Sequence, residues 1–122
     1  MTPTMPTVEL IVNDPDAEKK LQKVTVKGEI DRDTMPDFRD KMEAFLQTFQ
    51  QTNLVLDLEN LEFINSEGIG YLSDVYNRFA TQSKKIMILR ASARIMDIFQ
   101  LVGLDQIIPC YDSDEECLAN VI

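Results

Sequence analysis

One short apolar run constrains the fold of this chain more than any other segment. Residues 54–58 have the sequence Leu-Val-Leu-Asp-Leu, which is short for a helix and has no alternating polar face. A strand of this kind is typical of a parallel sheet whose two faces are both covered by other elements. A second buried run, residues 86–89, follows later in the chain. The two runs predict a buried, partly parallel sheet.

The residues before the first run show the two-residue alternation of β-strands in two segments. Apolar residues or glycine occupy alternate positions on each side of a turn, and these are Val8, Leu10 and Val12 before it and Val24, Val26 and Gly28 after it. The turn itself, residues 13–16, is Asn-Asp-Pro-Asp, a composition typical of turns. Residues 10–28 are therefore predicted to form two strands paired as a hairpin.

Helical periodicity separates the strands. In the first predicted helix, Thr34 is a candidate N-cap, Pro36 lies in the first turn and Asp37 favours the positive end of the helix dipole. Its inward positions have helical spacing and are Phe38, Met42, Phe45, Leu46 and Phe49. A second helix is predicted to begin at Ser66, with Ile69, Leu72, Tyr76 and Phe79 inward. Residues 59–64 are predicted to form a connecting loop.

The C-terminal third continues the alternation of helices and strands. Residues 92–102 predict a third helix that ends at Gly103, with Ile95, Met96 and Phe99 on its inner face. Ile107 and Ile108 predict a last short strand. Ser113 and Glu116 form a capping-box pattern that opens a final helix through Leu118 and Val121.

These elements together predict one α/β domain over residues 1–122, with its core at about 8–121. Its architecture is expected to be a mixed β-sheet of about four to five strands covered by about four α-helices. We find no internal repeat, low-complexity tract or linker in the sequence.

The composition excludes several classes of function. The chain has no histidine, which removes the commonest general base, the Ser-His and Cys-His nucleophile pairs and most zinc sites. Its two cysteines, Cys110 and Cys117, form neither a CxxC pair nor a metal cluster and are expected to be buried or incidental thiols. No cofactor and no metal ligand are predicted.

Charge and hydropathy favour a protein partner. The net charge of −9 repels phosphate backbones and anionic lipid headgroups, so we expect no direct binding to nucleic acid or to a membrane. The sequence has neither a basic, apolar leader at its start nor an apolar run long enough to span a bilayer. A cytoplasmic location is therefore expected.

Residues 64–70 combine a strand exit, a helix start and two glycines. Ser66 is a candidate N-cap, and most serines at helix starts have only that role. It also lies where the free N–H groups and the positive end of the helix dipole converge. A phosphate there would add about 1.5 to 2 negative charges that the helix end can accommodate. Gly68 and Gly70 are expected to let another surface approach the backbone.

Three segments resemble one family. The signature of the STAS domain family, to which bacterial anti-sigma factor antagonists belong, is Asp-Ser-Ser/Thr-Gly-Leu-Gly, and residues 65–70 (Asn-Ser-Glu-Gly-Ile-Gly) resemble it. Residues 28–31 (Gly-Glu-Ile-Asp), with Thr34 after them, are similar to its Gly-Glu-Leu-Asp segment. Residues 102–105, followed by Ile107 and Ile108, resemble its C-terminal Gly-Leu segment. The resemblance covers roughly residues 8–121.

The resemblance implies a non-enzymatic antagonist in a partner-switching pathway. Unphosphorylated, such a protein binds an anti-sigma factor that is also a serine kinase, which frees a sigma factor. Phosphorylation on Ser66 releases it, and a serine phosphatase restores it. The residues implied to contact the partner are Gly28, Glu29, Asp31, Asn65, Ser66, Glu67, Gly68, Ile69 and Gly70.

Two departures from the signature leave alternatives open. Asn65 replaces the usual aspartate, and Glu67 replaces the second Ser or Thr. Glu67 either compensates for the lost carboxylate or partly imitates a phosphate beside Ser66. A scaffold or adaptor subunit of a sensory or lipid-transport complex is therefore an alternative function. An enzyme would have to use carboxylates such as Asp31 and Asp57, which is the weakest of the hypotheses.

Overall fold

The computed structural model describes residues 5–122 and contains a six-stranded sheet with helices packed on it. The strands are β1 (Val8–Val12), β2 (Leu21–Ile30), β3 (Asn53–Asp57), β4 (Leu61–Ile64), β5 (Lys85–Leu89) and β6 (Cys110–Tyr111). They lie in the order β1-β2-β3-β5-β6, and β4 pairs with β2 outside this series.

The sheet is mixed, as predicted. The β1–β2 hairpin is antiparallel, and every other pair is parallel. All five residues of β3 are buried, as expected for a central parallel strand. β2 is ten residues long, so its first half pairs with β3 and its second half with β4. This arrangement brings the end of β4 beside the end of β2.

Two predictions about strands are wrong. Residues 61–64, expected within a loop, form β4, because the backbone pairs with the far half of β2 although the side chains do not alternate in burial. The last strand is Cys110–Tyr111 rather than Ile107 and Ile108. Those two isoleucines follow a short 3-10 helix, Leu104–Gln106. The N–H groups of both donate to the Leu104 carbonyl and not to a neighbouring strand.

Four α-helices are present among the described residues: α1 (Met35–Thr48), α2 (Ser66–Thr81), α3 (Ala93–Val102) and α4 (Asp114–Leu118). Ser92, predicted as the first residue of the third helix, is its N-cap, and Gly103 ends the helix as predicted, with a φ of 80°. Ser113 caps α4, which ends at Leu118, earlier than the predicted Val121. Within residues 5–122, no helix is long and apolar enough to cross a membrane.

The helices divide unequally between the two faces of the sheet. One face packs under α1, α2 and α3 and supplies the main core, including Val24, Leu54, Leu56, Ile86 and Ile88. The other face has a smaller cluster that α4 covers, formed by Val55, Met87, Leu89 and Cys117. The predicted α/β class, a mixed sheet covered by helices, is confirmed.

Candidate functional site

Two of the segments singled out in the sequence lie side by side. The β2 corner (residues 28–31) contains Ile30, and the Ser66 loop (residues 64–70) begins at Ile64. These two isoleucines are partners in the parallel pairing of β2 with β4. The Asn65 N–H continues this pairing by donating to the Ile30 carbonyl at 2.9 Å. The carboxyl ends of β2 and β4 therefore bring both segments to one edge of the sheet.

Asn65, and not Ser66, caps α2. Its backbone is extended, with φ −91° and ψ 178°, and its side-chain oxygen accepts the Gly68 N–H at 2.9 Å. Ser66 is the first residue of the helix itself. The prediction of Ser66 as the N-cap is wrong, because the hydrogen bond to Ile30 keeps Asn65 in strand geometry. An asparagine side chain can satisfy a helix amide as an aspartate would, but without the charge.

This arrangement leaves the Ser66 side chain exposed and free. Within residues 5–122, no hydrogen bond engages its hydroxyl, whereas the Gly68 and Ile69 N–H groups bond to Asn65. The N–H groups of the first helical turn and the helix dipole create a positive potential there. Glu67, next to Ser66, is also exposed and places a carboxylate in the same turn.

The two glycines of α2 have different surroundings. Gly68 is buried, and a Cβ there would lie 2.7 Å from Cγ1 of Ile64 and 2.9 Å from Cγ2 of Ile30. It therefore lets α2 pack onto the strand ends, so the expectation that it opens a surface to another molecule is wrong. Gly70 is exposed, and a Cβ there would meet no neighbouring atom within 4 Å. Only Gly70 offers an outside surface access to the backbone.

Hydrogen bonds hold the β2 corner in shape. Gly28 has a φ of 99°, and a Cβ there would come within 2.1 Å of the Thr7 carbonyl oxygen, so glycine is required. The Asp31 carboxylate accepts the N–H groups of Asp33 and Thr34 at 2.9 and 3.0 Å. The Thr34 hydroxyl donates to the Glu29 carbonyl at 2.7 Å. Thr34 stands at the N-cap position of α1, but its side chain holds the corner instead of an α1 amide.

A clamp of three side chains joins α1 to α2 on the helix face of Tyr71, Asp74 and Arg78, which the sequence suggests only as an edge of the partner-binding surface. Arg78 donates to both carboxylate oxygens of Glu43, at 3.0 and 2.6 Å, and the Tyr71 hydroxyl donates to the same carboxylate. The hydrogen bonds from Arg78 and then Tyr71 lower the pKa of Glu43 to about 2. Burial, followed by the Glu43 hydrogen bond, raises the pKa of Tyr71. Tyr71 is 8% exposed and packs in the core, whereas Glu43, Arg78 and Asp74 keep accessible side-chain surface.

Asp57 and Asp31, the carboxylates that an enzyme would need, belong to separate networks. Asp57 at the end of β3 pairs with Arg90 at 3.0 Å and accepts the Glu59 N–H at 3.1 Å. Arg90 also contacts Asp114 of α4 at 3.2 Å, and these hydrogen bonds raise the pKa of the guanidinium. Both aspartates therefore have structural partners. Within residues 5–122, no cluster of three or more acidic or cysteine side chains is arranged to hold a metal ion.

Comparisons of the sequence with known proteins agree with one another. Residues 14–117 match the model of the STAS domain. The anti-sigma F factor antagonist of Paenibacillus polymyxa is 26% identical over 98 residues, which cover 80% of this chain and 84% of that protein. The anti-sigma-B factor antagonist of Listeria monocytogenes is 25% identical over 97 residues, with the same shares, 80% and 84%, covered.

Solved structures agree with the observed architecture. An anti-sigma factor antagonist from Mycobacterium paratuberculosis is similar with a TM-score of 0.75 and 27% identity, covering 93% of each chain. The unphosphorylated form of SpoIIAA, another anti-sigma factor antagonist, has a TM-score of 0.71 at 18% identity, covering 90% of this chain and 93% of that one. At 18% identity, the similarity to SpoIIAA shows a shared fold and no more. The match over residues 14–117 and the shared architecture establish that this chain belongs to the STAS domain family.

Proposed function

We propose that this protein is an anti-sigma factor antagonist whose binding is switched by phosphorylation on Ser66. Unphosphorylated, it binds an anti-sigma factor that is also a serine kinase, and a sigma factor is freed. The phosphorylated form is released, and a serine phosphatase returns it to the binding state. The names of the relatives support the antagonist role, since both curated relatives described above are anti-sigma factor antagonists.

The state of the Ser66 hydroxyl is the observation that carries the proposal. The side chain is exposed and unbonded within residues 5–122, and the helix cap is supplied by Asn65. A kinase can therefore modify the hydroxyl without removing an interaction that holds α2. The amide groups and dipole of the first turn then lie beside the new phosphate, which stabilises its charge.

The proposed partner surface is the Ser66 loop together with the β2 corner. Within these segments Ser66, Glu67 and Gly70 are exposed, while Gly28, Glu29, Asp31, Asn65 and Ile69 are half-buried. A phosphate would add about 1.5 to 2 negative charges at the centre of this surface. A partner with acidic or apolar groups opposite Ser66 would then be repelled without any refolding of the antagonist.

The chemistry of the switch belongs to the partner. The kinase supplies Mg²⁺ and ATP, transfers the γ-phosphoryl group to the Ser66 oxygen and releases ADP and the hydroxyl proton. The proposed role of this chain is that of phosphoryl acceptor, with no cofactor or catalytic residue of its own. A structure of a relative, Bacillus SpoIIAA, is of the phosphorylated form, at a TM-score of 0.64 and 18% identity, covering 91% of this chain and 97% of that one. The protein is further proposed to be a single domain and to act in the cytoplasm.

A comparison of captured proteins tests this function. The wild type, Ser66→Ala and Ser66→Asp would each be immobilised and exposed to lysate of the source cells, and bound proteins identified by mass spectrometry. We expect a protein with a kinase fold on the first two and its loss on the third. The same set of proteins on all three variants would contradict the switch and favour a scaffold.

The scaffold alternative rests on the two departures at the loop. Asn65 has no carboxylate to assist kinase recognition or magnesium binding, and exposed Glu67 puts a permanent charge beside Ser66. A single carboxylate has less charge and fewer acceptor oxygens than a phosphate. In this alternative the protein is a constant adaptor subunit of a sensory or lipid-transport complex, and its Ser66→Asp variant binds as the wild type does.

A further inference from the structure

Strand β1 forms an open edge of the sheet. Within residues 5–122, no strand pairs with its second side. In the antiparallel pairing with β2, the Thr7 carbonyl accepts the Glu29 N–H and the Asn13 N–H donates to the Lys23 carbonyl. Backbone groups that face β2 therefore belong to every second residue from Thr7 to Asn13, and those of the residues between them face outward. Backbone groups of Leu10 and Val12 therefore point away from β2. The Val8 carbonyl also points outward and accepts Nζ of Lys41 at 3.1 Å.

Within residues 5–122, protection of this edge against added strands is confined to its first two residues, where Lys41 bonds to the Val8 carbonyl and Glu9 carries a charge. Natural edges are commonly blocked by an inward charge, a proline or a covering element. The sequence of β1, Val-Glu-Leu-Ile-Val, contains no proline or lysine. Ile11 and Val12 are large apolar residues that are 39% and 48% exposed. Val12 combines an outward backbone with an exposed apolar side chain, and Ile11 beside it adds a second exposed apolar side chain.

An apolar groove runs between this edge and α1. It has a volume of about 430 Å³ and is lined by Leu10, Val12, Lys41, Ala44, Phe45 and Thr48. Leu10 and Val12 point to the same side of the strand, because side chains alternate along it. A strand added at the edge of β1 would direct every second side chain into this groove.

The groove continues into an acidic cleft. Lys41 lines both, and the cleft, of about 530 Å³, also contains Glu9, Asp33 and Asp37. Lys41 is already paired with Asp37 at 2.9 Å, so the cleft keeps a negative excess. A second copy of this chain, at a net charge of −9, would be repelled, and a basic residue would be attracted.

We propose that the open edge of β1 binds an extended, basic segment of a partner protein as an added strand. Backbone hydrogen bonds to Leu10 and Val12 give affinity, as in other cases of strand addition. An apolar side chain enters the groove, and a Lys or Arg two positions away on the same side enters the acidic cleft. This site goes beyond the Ser66 switch and does not depend on it.

Titration with a defined peptide tests the site. The probe is a blocked hexapeptide, Thr-Lys-Thr-Val-Thr-Val, and its control has Glu in place of Lys. In ¹⁵N-labelled protein we expect the amide signals of Leu10 and Val12 to move downfield and their hydrogen exchange to slow, while the Ser66 signal stays unchanged. The Glu peptide is expected to bind about tenfold more weakly, given the charge reversal at the cleft.

Two matched variants separate backbone pairing from simple apolar contact. Val12→Pro removes an outward N–H without breaking the β1–β2 ladder and is expected to weaken the Lys peptide about tenfold, whereas Val12→Thr keeps the N–H and weakens it less. An unchanged melting temperature shows that each variant is folded. Three results would overturn the proposal. The peptide could bind equally to Val12→Pro and Val12→Thr, the amide signals could fail to shift at the solubility limit of the peptide, or the protein could self-associate in a way that Val12→Pro abolishes.

Discussion

The starts of α2 and α3 both contain a serine, but the two serines have opposite roles. Ser92 is the N-cap of α3, and its hydroxyl oxygen accepts the Ile95 N–H at 3.2 Å. Ser66 lies one position after the cap of α2, because Asn65 accepts the equivalent N–H at 2.9 Å. A difference of one position separates a serine that stabilises the helix from one that is free to react.

The comparison gives a physical criterion for a switch residue. A phosphate on Ser92 would modify the hydroxyl that caps the first turn of α3, so that the cap hydrogen bond to Ile95 would have to form again. A phosphate on Ser66 would leave the cap of α2 in place and add its charge to the favourable end of the dipole. Because Asn65 supplies the cap, Ser66 can be modified without loss of a cap hydrogen bond.

The largest predicted effect separates the two serines by partner binding. Ser66→Asp is expected to weaken binding to the isolated kinase partner about 100-fold or more, because like charges at an interface cost several kcal/mol. Ser92→Asp is the matched control, since aspartate also caps helices and its charge lies outside the proposed surface. Isothermal titration calorimetry measures both affinities, and an equal loss in the two variants would contradict the assignment of the surface to the Ser66 loop.

The two glycines of α2 are expected to differ in how an added methyl group changes the free energy of unfolding. Gly68→Ala is expected to cost about 1 to 3 kcal/mol in the free energy of unfolding, because the added methyl meets Ile64 and Ile30. Gly70→Ala is expected to stabilise by up to about 1 kcal/mol, since its site is open and alanine favours the helix. Urea unfolding of both variants checks the difference; a destabilised Gly70→Ala would show that Gly70 packs against another part of the chain.

The cap itself gives the next smaller effect. Ser92→Ala and Asn65→Ala are each expected to lower the free energy of unfolding by about 1 kcal/mol, because each removes the oxygen that accepts an amide of the first turn. Ser66→Ala is expected to change it by less than about 0.5 kcal/mol, as for an ordinary surface position. Thermal unfolding followed by circular dichroism ranks the three. A loss at Ser66→Ala equal to that at Asn65→Ala would mean that Ser66 shares the cap.

The smallest effect concerns Glu67. Its carboxylate lies in the first turn of α2, and Glu67→Gln is expected to destabilise the protein by a few tenths to about 1 kcal/mol at low salt. Salt should reduce this difference, since the charge is exposed. Chemical denaturation at two ionic strengths measures it. If Glu67→Gln instead raises partner affinity strongly, Glu67 imitates a phosphate rather than replacing a lost charge.

The sequence predicted the elements whose signals are local. The buried run at β3, the hairpin of β1 and β2, and the third helix with Ser92 and Gly103 at its ends depend on periodicity and on cap residues. β4 was missed because Leu61 and Ile64 are buried while the two residues between them are exposed, so no alternation signals a strand. Its pairing with the far half of β2 is a tertiary contact that no local pattern encodes.

The same limit explains what was wrong within the candidate site. The sequence placed Ser66 at the correct turn, but both Asn65 and Ser66 are good N-cap residues, so composition alone could not choose between them. The hydrogen bond from Asn65 to Ile30 makes that choice. The prediction that Gly68 opens a surface is wrong, because Ile64 and Ile30 pack where its Cβ would lie, and the contact with Ile30 of β2 is a tertiary one that no local pattern encodes.

Mapping the phosphate tests the central claim most directly. The protein would be incubated with Mg²⁺, ATP and the kinase captured by the wild type, and the modified position identified by peptide mass spectrometry. We predict one phosphate, on Ser66, that is absent from Ser66→Ala and still present in Ser92→Ala. Failure to gain a phosphate, or a phosphate at another residue that Ser66→Ala retains, would contradict the account.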